Sequence, residues 1–249
     1  MDSENSKKQV DVFILFHAEG LLALPAMKSA HELVQKAKSF GKVTLNAVLD
    51  NADPKTKEIV SSAKSCFDSI HFVEFGDLGK TRNFCIQVAK GSHISMLDGD
   101  DLWGAEWISR AMTHESNEEE ATVLHPEFLY YFHEDDLANR GKVKKSFFIR
   151  HQSSILTQAS PKLLYLANFW SANNFMPLSI ARKYPYRPTI QELGLGIEDW
   201  SWNLETVANG ILHEVVPGTI HFIRVKQAGS LGVQNSLSGL SVHRPNISG

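Results

Sequence analysis

The chain has 249 residues, 43% hydrophobic and 21% charged, which suits one large α/β domain with a substantial core. Its formal charge of −3 gives no global basic field for nucleic acid or an anionic membrane. An anionic substrate must therefore be met by local basic groups or by a bound metal. The polar start MDSENSKKQ and the lack of any run of about 18–20 apolar residues speak against a secretory leader and a membrane span. The expectation is a cytoplasmic protein with at most peripheral membrane association. Cys66 and Cys85 have no ligand-like spacing and read as free thiols in helical segments.

The first hundred residues alternate strand and helix. Val10–Phe16 is an apolar β-rich run, and helical spacing then extends from about Leu21 to Phe40, stopping at Gly41. Lys42–Asp50 reads as a second strand, and Asp53-Pro54 opens a helix. Ser69–Phe75 is a third strand, about Lys80 to Ala89 a helix, and Ser92–Asp98 a fourth strand. Strands joined by helices imply parallel pairing with right-handed crossovers, and ligands in such sheets sit beyond the carboxyl ends of the strands. Three of those ends carry acids or polar groups, at His17 and Glu19, at Asp50, and at Asp98, Asp100 and Asp101. In the second half, residues 121–132 and 142–152 read as a hairpin around the polar turn HEDDLANRG. A short helix near Pro161–Ala167, an irregular aromatic stretch Phe169–Tyr186, a helix Ile197–Gly210, a strand Thr219–Lys226 and a loose Gly/Ser-rich tail complete the reading. No repeat or linker separates two domains.

The densest chemistry lies in MLDGDDLW, where Asp98, Asp100 and Asp101 crowd the mouth of the fourth strand. Such a turn either caps the next helix or gathers hard oxygens for Mg²⁺ or Mn²⁺. It is not an EF-hand loop, because Leu102 and Ser109 stand where that loop needs ligands. Two imitations are set aside: HEDD (133–136) sits in a charged turn, and His125-Pro126-Glu127 lacks the cysteines of a deaminase.

The string GKTRNFCIQVAKGSHISMLDGDDLW resembles the core of the family 2 glycosyltransferases, inverting enzymes of GT-A fold that use nucleotide-sugar donors. Their pattern is Gly, then Ala-Arg-Asn, a helix, a small residue, a strand and Asp-x-Asp-Asp. Gly79, Arg82, Asn83, Gly91 and the strand 93–97 fit it, with Thr81 in place of alanine. AVLDNADPKT, GIEDWSWNLE and HFIRVKQAGSLG resemble further motifs, so the likeness spans about Asp11 to Leu231.

The resemblance implies one GT-A domain, a mostly parallel mixed sheet flanked by helices. A nucleotide-binding half covers about 10–102 and an acceptor-side half about 103–231, with flexible tails at 1–9 and 232–249. It implies a UDP-sugar donor, a glycan or lipid-linked acceptor, and a role in surface polysaccharide or glycoconjugate synthesis. It places Asp50 against the nucleoside and Asp98 against the ribose and sugar, with Asp100 on the metal of this DXD motif. Asp199 is then the catalytic base and Glu198 binds acceptor or orients the helix. His17, Glu19 and Arg82 belong to the donor side.

A divalent metal on Asp100, or on Asp98 and Asp100 together, would neutralise the departing diphosphate as a Lewis acid. Trp202 is the expected acceptor-stacking ring, with the stretch Phe169–Tyr186 nearby, while Ile197, Trp200, Leu204, Val207 and Ile211 form the buried stripe. One departure stands out: Lys226 follows Arg224-Val225 where many relatives carry a histidine that ligates metal or diphosphate. Strand alternation puts Arg224 and Lys226 on one face near the donor, with His221 a weaker metal candidate. Two other readings survive: a nucleotidyltransferase, though the first strand is followed by no basic phosphate loop, and a non-catalytic GT-A-like binding module.

Overall fold

The computed structural model describes residues 8–114, 122–133, 145–156, 159–226 and 238–247. Its first half is β1 (Gln9–Phe16), α1 (Ala23–Ala37), β2 (Lys42–Asp50), α2 (Pro54–Ser62), β3 (Ser69–Val73), α3 (Leu78–Val88) and β4 (His93–Asp98). The order across the sheet is β3-β2-β1-β4, all parallel. The chain steps outward from β1 through β2 to β3, then returns to the other side of β1. The strand order therefore reverses between β1 and β4, and the crevice beyond those two carboxyl ends is where such sheets bind ligands.

Period-two alternation explains why β1 is buried on both faces. Val10, Val12, Ile14 and Phe16 pack with Ala26, Ala30 and Leu33 of α1. Phe13 and Leu15 point the other way, into a core with Cys85 and Ile86 of α3. Gly99 follows β4 because the turn runs against β1: a Cβ there would lie 2.4 Å from the Phe16 ring and 2.6 Å from the Leu15 carbonyl oxygen.

The second half adds β5 (Leu102–Trp103), α4 (Trp107–Thr113), β6 (Thr122–His133), β7 (Phe147–Arg150), α5 (Pro161–Leu164), β8 (Phe175–Pro177), α6 (Leu178–Lys183), β9 (Leu195–Gly196), α7 (Glu198–Ala208), β10 (Leu212–Val225) and β11 (Ser241–Val242). The sheet continues from β4 as β8-β6-β10-β5, with β8 antiparallel to β4, β6 parallel to β10 and β5 antiparallel to β10. β6 and β7 form the expected antiparallel pair, while the joining turn lies outside the described residues. No helix among the described residues is long and apolar enough to cross a membrane.

Several expectations are corrected. The stretch Phe169–Tyr186 contains β8 and α6, and its Trp170, Phe175, Tyr184 and Tyr186 are buried, so it is largely core. β10 begins at Leu212, seven residues before the expected strand, because Pro217-Gly218 only interrupts its register as a bulge. Gly218 takes the positive φ of +72° there. Residues 241–242, expected in a loose tail, pair with β9, and Val242 and the following His243 are buried. Beneath β6 and β10 lies a stack of His125, His213 and Trp170, with ring centroids 4.4–5.2 Å apart. His125 Nε2 meets His213 Nδ1 at 2.9 Å, and the His213 Nε2 meets Thr206 Oγ1 at 2.9 Å.

Candidate active site

The acid turn leaves β4 and runs straight into β5, whose antiparallel register on β10 sets Leu102 opposite Phe222. Asp101 is thereby laid against β10. Its Oδ1 accepts the Arg224 N–H at 2.8 Å and its Oδ2 faces His221 Nε2 at 3.1 Å. Helix capping is not its role, since α4 starts at Trp107 behind Glu106 and has no side-chain cap. Burial raises the Asp101 pKa, opposed by the His221 contact.

Lys226 Nζ lies 2.6 Å from Asp100 Oδ2, and Arg224 Nε donates to the Asp100 carbonyl oxygen at 3.0 Å. The Arg224 guanidinium also sits 4.7 Å from the Phe132 ring centroid. His221, Arg224 and Lys226 all meet the turn, although alternation along β10 separates the His221 side chain from that of Arg224. His221 reaches a carboxylate, whereas Arg224 also uses its main-chain N–H. Glu19, at the end of β1, completes this rim: burial raises its pKa, the Asp100 charge adds to that, and Lys226 opposes it.

Arg82 ties the rim to the second acid pair. It is fully buried on α3, with Nη2 2.8 Å from Asp98 Oδ1 and Nε 3.3 Å from Glu198 Oε1. Burial works against its charge, but Asp98 and Glu198 outweigh that and hold its pKa above the ordinary value. Glu198 and Asp199 open α7 behind Ile197, a β-branched residue held at φ +55°, a costly conformation found where surrounding structure imposes it. The Glu198 carboxyl pKa is raised by burial and by the Asp199 charge, with Arg82 opposing. Asp199 is raised by burial, again against Arg82. Asn168 Nδ2 donates to Asp199 Oδ2 at 3.1 Å, and Asn203 Nδ2 donates to Asn168 Oδ1 at 2.9 Å. The Tyr131 hydroxyl completes the surroundings: burial and the charges of Asp101 and Asp199 raise its pKa.

The acids offer no open pair to a cation. Asp98 faces Arg82, Asp100 faces Lys226, and Asp101 faces His221 and a main-chain N–H. Among the described residues no group of three or more His, Cys, Asp or Glu side chains could hold a metal ion. This donor set does not fit the divalent ion that the resemblance implies on Asp98, Asp100 and His221.

Other candidates sit elsewhere. Asp50 is buried with its carboxylate already engaged: Oδ1 accepts the Phe75 and Gly76 N–H groups at 2.7 and 3.0 Å, and Oδ2 the Thr81 hydroxyl at 2.6 Å. It braces β2 against the turn into α3. His17 is exposed beside it, its Nδ1 2.8 Å from the Asp50 carbonyl oxygen. Trp202 is 1% exposed, stacks on Tyr186 at 5.3 Å and donates its Nε1–H to the Tyr184 carbonyl at 2.6 Å. It is a core side chain and has no face to offer an acceptor sugar. Of the rejected imitations, His125 belongs to the buried stack, while 134–136 lie outside the described residues. Asn168, Tyr131 and the role of Asp101 escaped the sequence reading, since each depends on a long-range contact with no local pattern.

The family model for glycosyl transferase family 2 matches residues 12–172. The chain belongs to that family. No curated protein matches the sequence. Solved structures show the family 2 chain's fold: S. aureus TarS 1-349 in complex with UDP-GlcNAc has 13% identity and a TM-score of 0.58. That match covers 89% of this chain and 60% of TarS 1-349. The Pyrobaculum calidifontis mannosyltransferase PcManGT, in complex with GDP-Man and Mn²⁺, has 13% identity and a TM-score of 0.59, over 90% of this chain and 59% of its own. This family 2 chain thus spans about 60% of the length of either structure.

Proposed function

We propose that the chain transfers a sugar from a nucleotide-sugar donor to a hydroxyl of a glycan or lipid-linked acceptor, with inversion at C1. The observation that carries the reading is the Arg82 guanidinium, which joins Asp98 on the donor rim to Glu198 in the second acid pair. One rigid side chain thereby fixes the distance between the place where the donor lies and the place where a proton is removed. TarS with UDP-GlcNAc and PcManGT with GDP-Man support a nucleotide-sugar donor, for which a UDP-sugar is the first choice.

In this mechanism the donor lies across the β1–β4 crevice, its ribose and sugar toward Asp98 and its diphosphate toward Arg224 and Lys226. The acceptor hydroxyl attacks C1 from the face opposite the diphosphate as Asp199 takes its proton. Asn168 holds Oδ2 of that carboxylate, and the raised Asp199 pKa brings the base closer to the working pH. Glu198 keeps Arg82 in place. The negative charge that develops on the leaving diphosphate meets cations already anchored by the acid turn.

The test is product analysis with UDP- and GDP-sugars. Release of nucleoside diphosphate, lost in Asp199→Asn while the nucleotide still binds, is the expected result. Release of sugar 1-phosphate from these donors, or of pyrophosphate from a nucleoside triphosphate supplied with a sugar 1-phosphate, would assign a nucleotidyltransferase instead.

A further inference from the structure

Resting on that reading, we propose that Lys226 is a resident cation: its ammonium occupies the place on Asp100 that a divalent metal would take. The chain would then bind a nucleoside diphosphate and stabilise its departure without metal. The geometry is specific. Lys226 Nζ lies 2.6 Å from Asp100 Oδ2, in a pair whose side chains are only 22% and 17% exposed. An ammonium has three donors and no lone pair, so it competes with a metal for Asp100 and cannot join its ligand shell.

The neighbouring groups reinforce the exclusion. Asp98 is drawn toward Arg82 at 2.8 Å and Asp101 toward His221 at 3.1 Å, so neither turns toward Asp100 to chelate. The His221 ring is held on its other side as well, with Nδ1 3.3 Å from Ser171 Oγ. Arg224 supplies a second fixed positive group, pinned by the Asp100 carbonyl and set over Phe132. Two side-chain cations at the rim supply two positive charges, the formal charge of one divalent ion, at the end of the sheet where the diphosphate would lie. Unlike a metal, they cannot be stripped by a chelator.

The experiment is calorimetric titration of the full chain with UDP and with GDP, in EDTA and again with Mn²⁺. Wild type is expected to bind one nucleotide in EDTA, with Mn²⁺ changing the affinity less than about threefold. Lys226→Met should lose about 10- to 100-fold in affinity, the scale of one charge-assisted contact. Lys226→His should regain affinity only when Mn²⁺ is present. Lys226→Gln and melting curves of all variants separate a binding loss from a folding loss. Wild-type binding that appears only with Mn²⁺ would overturn the proposal and leave the transferase reading intact. Unchanged binding by Lys226→Met in EDTA would also overturn it. Absence of nucleotide binding under every condition would overturn both.

Discussion

Replacing Arg82 with methionine removes the one cation between two carboxylates while keeping much of the side-chain volume. The Glu198 leg dominates, because that side chain is 11% exposed and removing one partner of a buried pair costs about 3–5 kcal/mol. Asp98 is 37% exposed, so solvent screens its leg to below about 1 kcal/mol. A total near 4 kcal/mol corresponds to a melting point lower by about 8–16 °C for a chain of this size. The loss must also depend on pH. Without Arg82 the pKa of Glu198 rises further, so the variant's native state binds more protons than the wild type's. Its deficit is therefore full only above the variant's raised Glu198 pKa and shrinks as pH falls through that value to about 7, where the wild-type carboxyl protonates. Differential scanning fluorimetry at pH 9.5 and pH 6 measures both effects. A drop below about 3 °C at pH 9.5, or the same drop at both pH values, would show that Arg82 acts by packing alone.

Other expectations follow from the same geometry. Trp202→Phe should lose about 1–3 kcal/mol of stability, from the bond to Tyr184 and the smaller ring, while acceptor KM stays unchanged; a raised KM with unaltered stability would restore the acceptor role. The pH profile of kcat/KM should have its acid limb above the ordinary carboxylate range, because burial raises Asp199. A limb near pH 4 would point to a solvent-exposed base. Burial lowers the pKa values of His125, His151 and His213, the last two to about 4 and about 3. These rings stay neutral when folded but take up protons when unfolded below about pH 6.5, so their contribution to stability falls as pH drops through 6.5 toward 4. Chemical denaturation from pH 7 to 5 should show this slope, and His213→Phe should flatten it; an equal slope in the variant would remove the stack as its source.

What the sequence disclosed depended on whether the signal was local. β1, β2 and β4 are apolar runs closed by polar groups, and the acid turn is contiguous, so both were legible. The long strand β10 was cut short because Pro217-Gly218 has the chemistry of a turn and only tertiary pairing turns it into a bulge. Trp202 was misplaced for a different reason. Helical spacing defines a stripe but not which neighbour covers each face, and Tyr184 and Tyr186 claim the face that seemed open. Asp101 illustrates the hardest case: its partners His221 and Arg224 are more than a hundred residues away, joined to it only by the β5–β10 pairing.

The most direct measurement is nucleoside diphosphate release from a panel of UDP- and GDP-sugars, run with wild type and Asp199→Asn side by side. The expected result is release from at least one donor by wild type, cut by a hundredfold or more in the variant although the nucleotide still binds. Equal release by both proteins, or none from any donor, would contradict a transferase that works through this carboxylate.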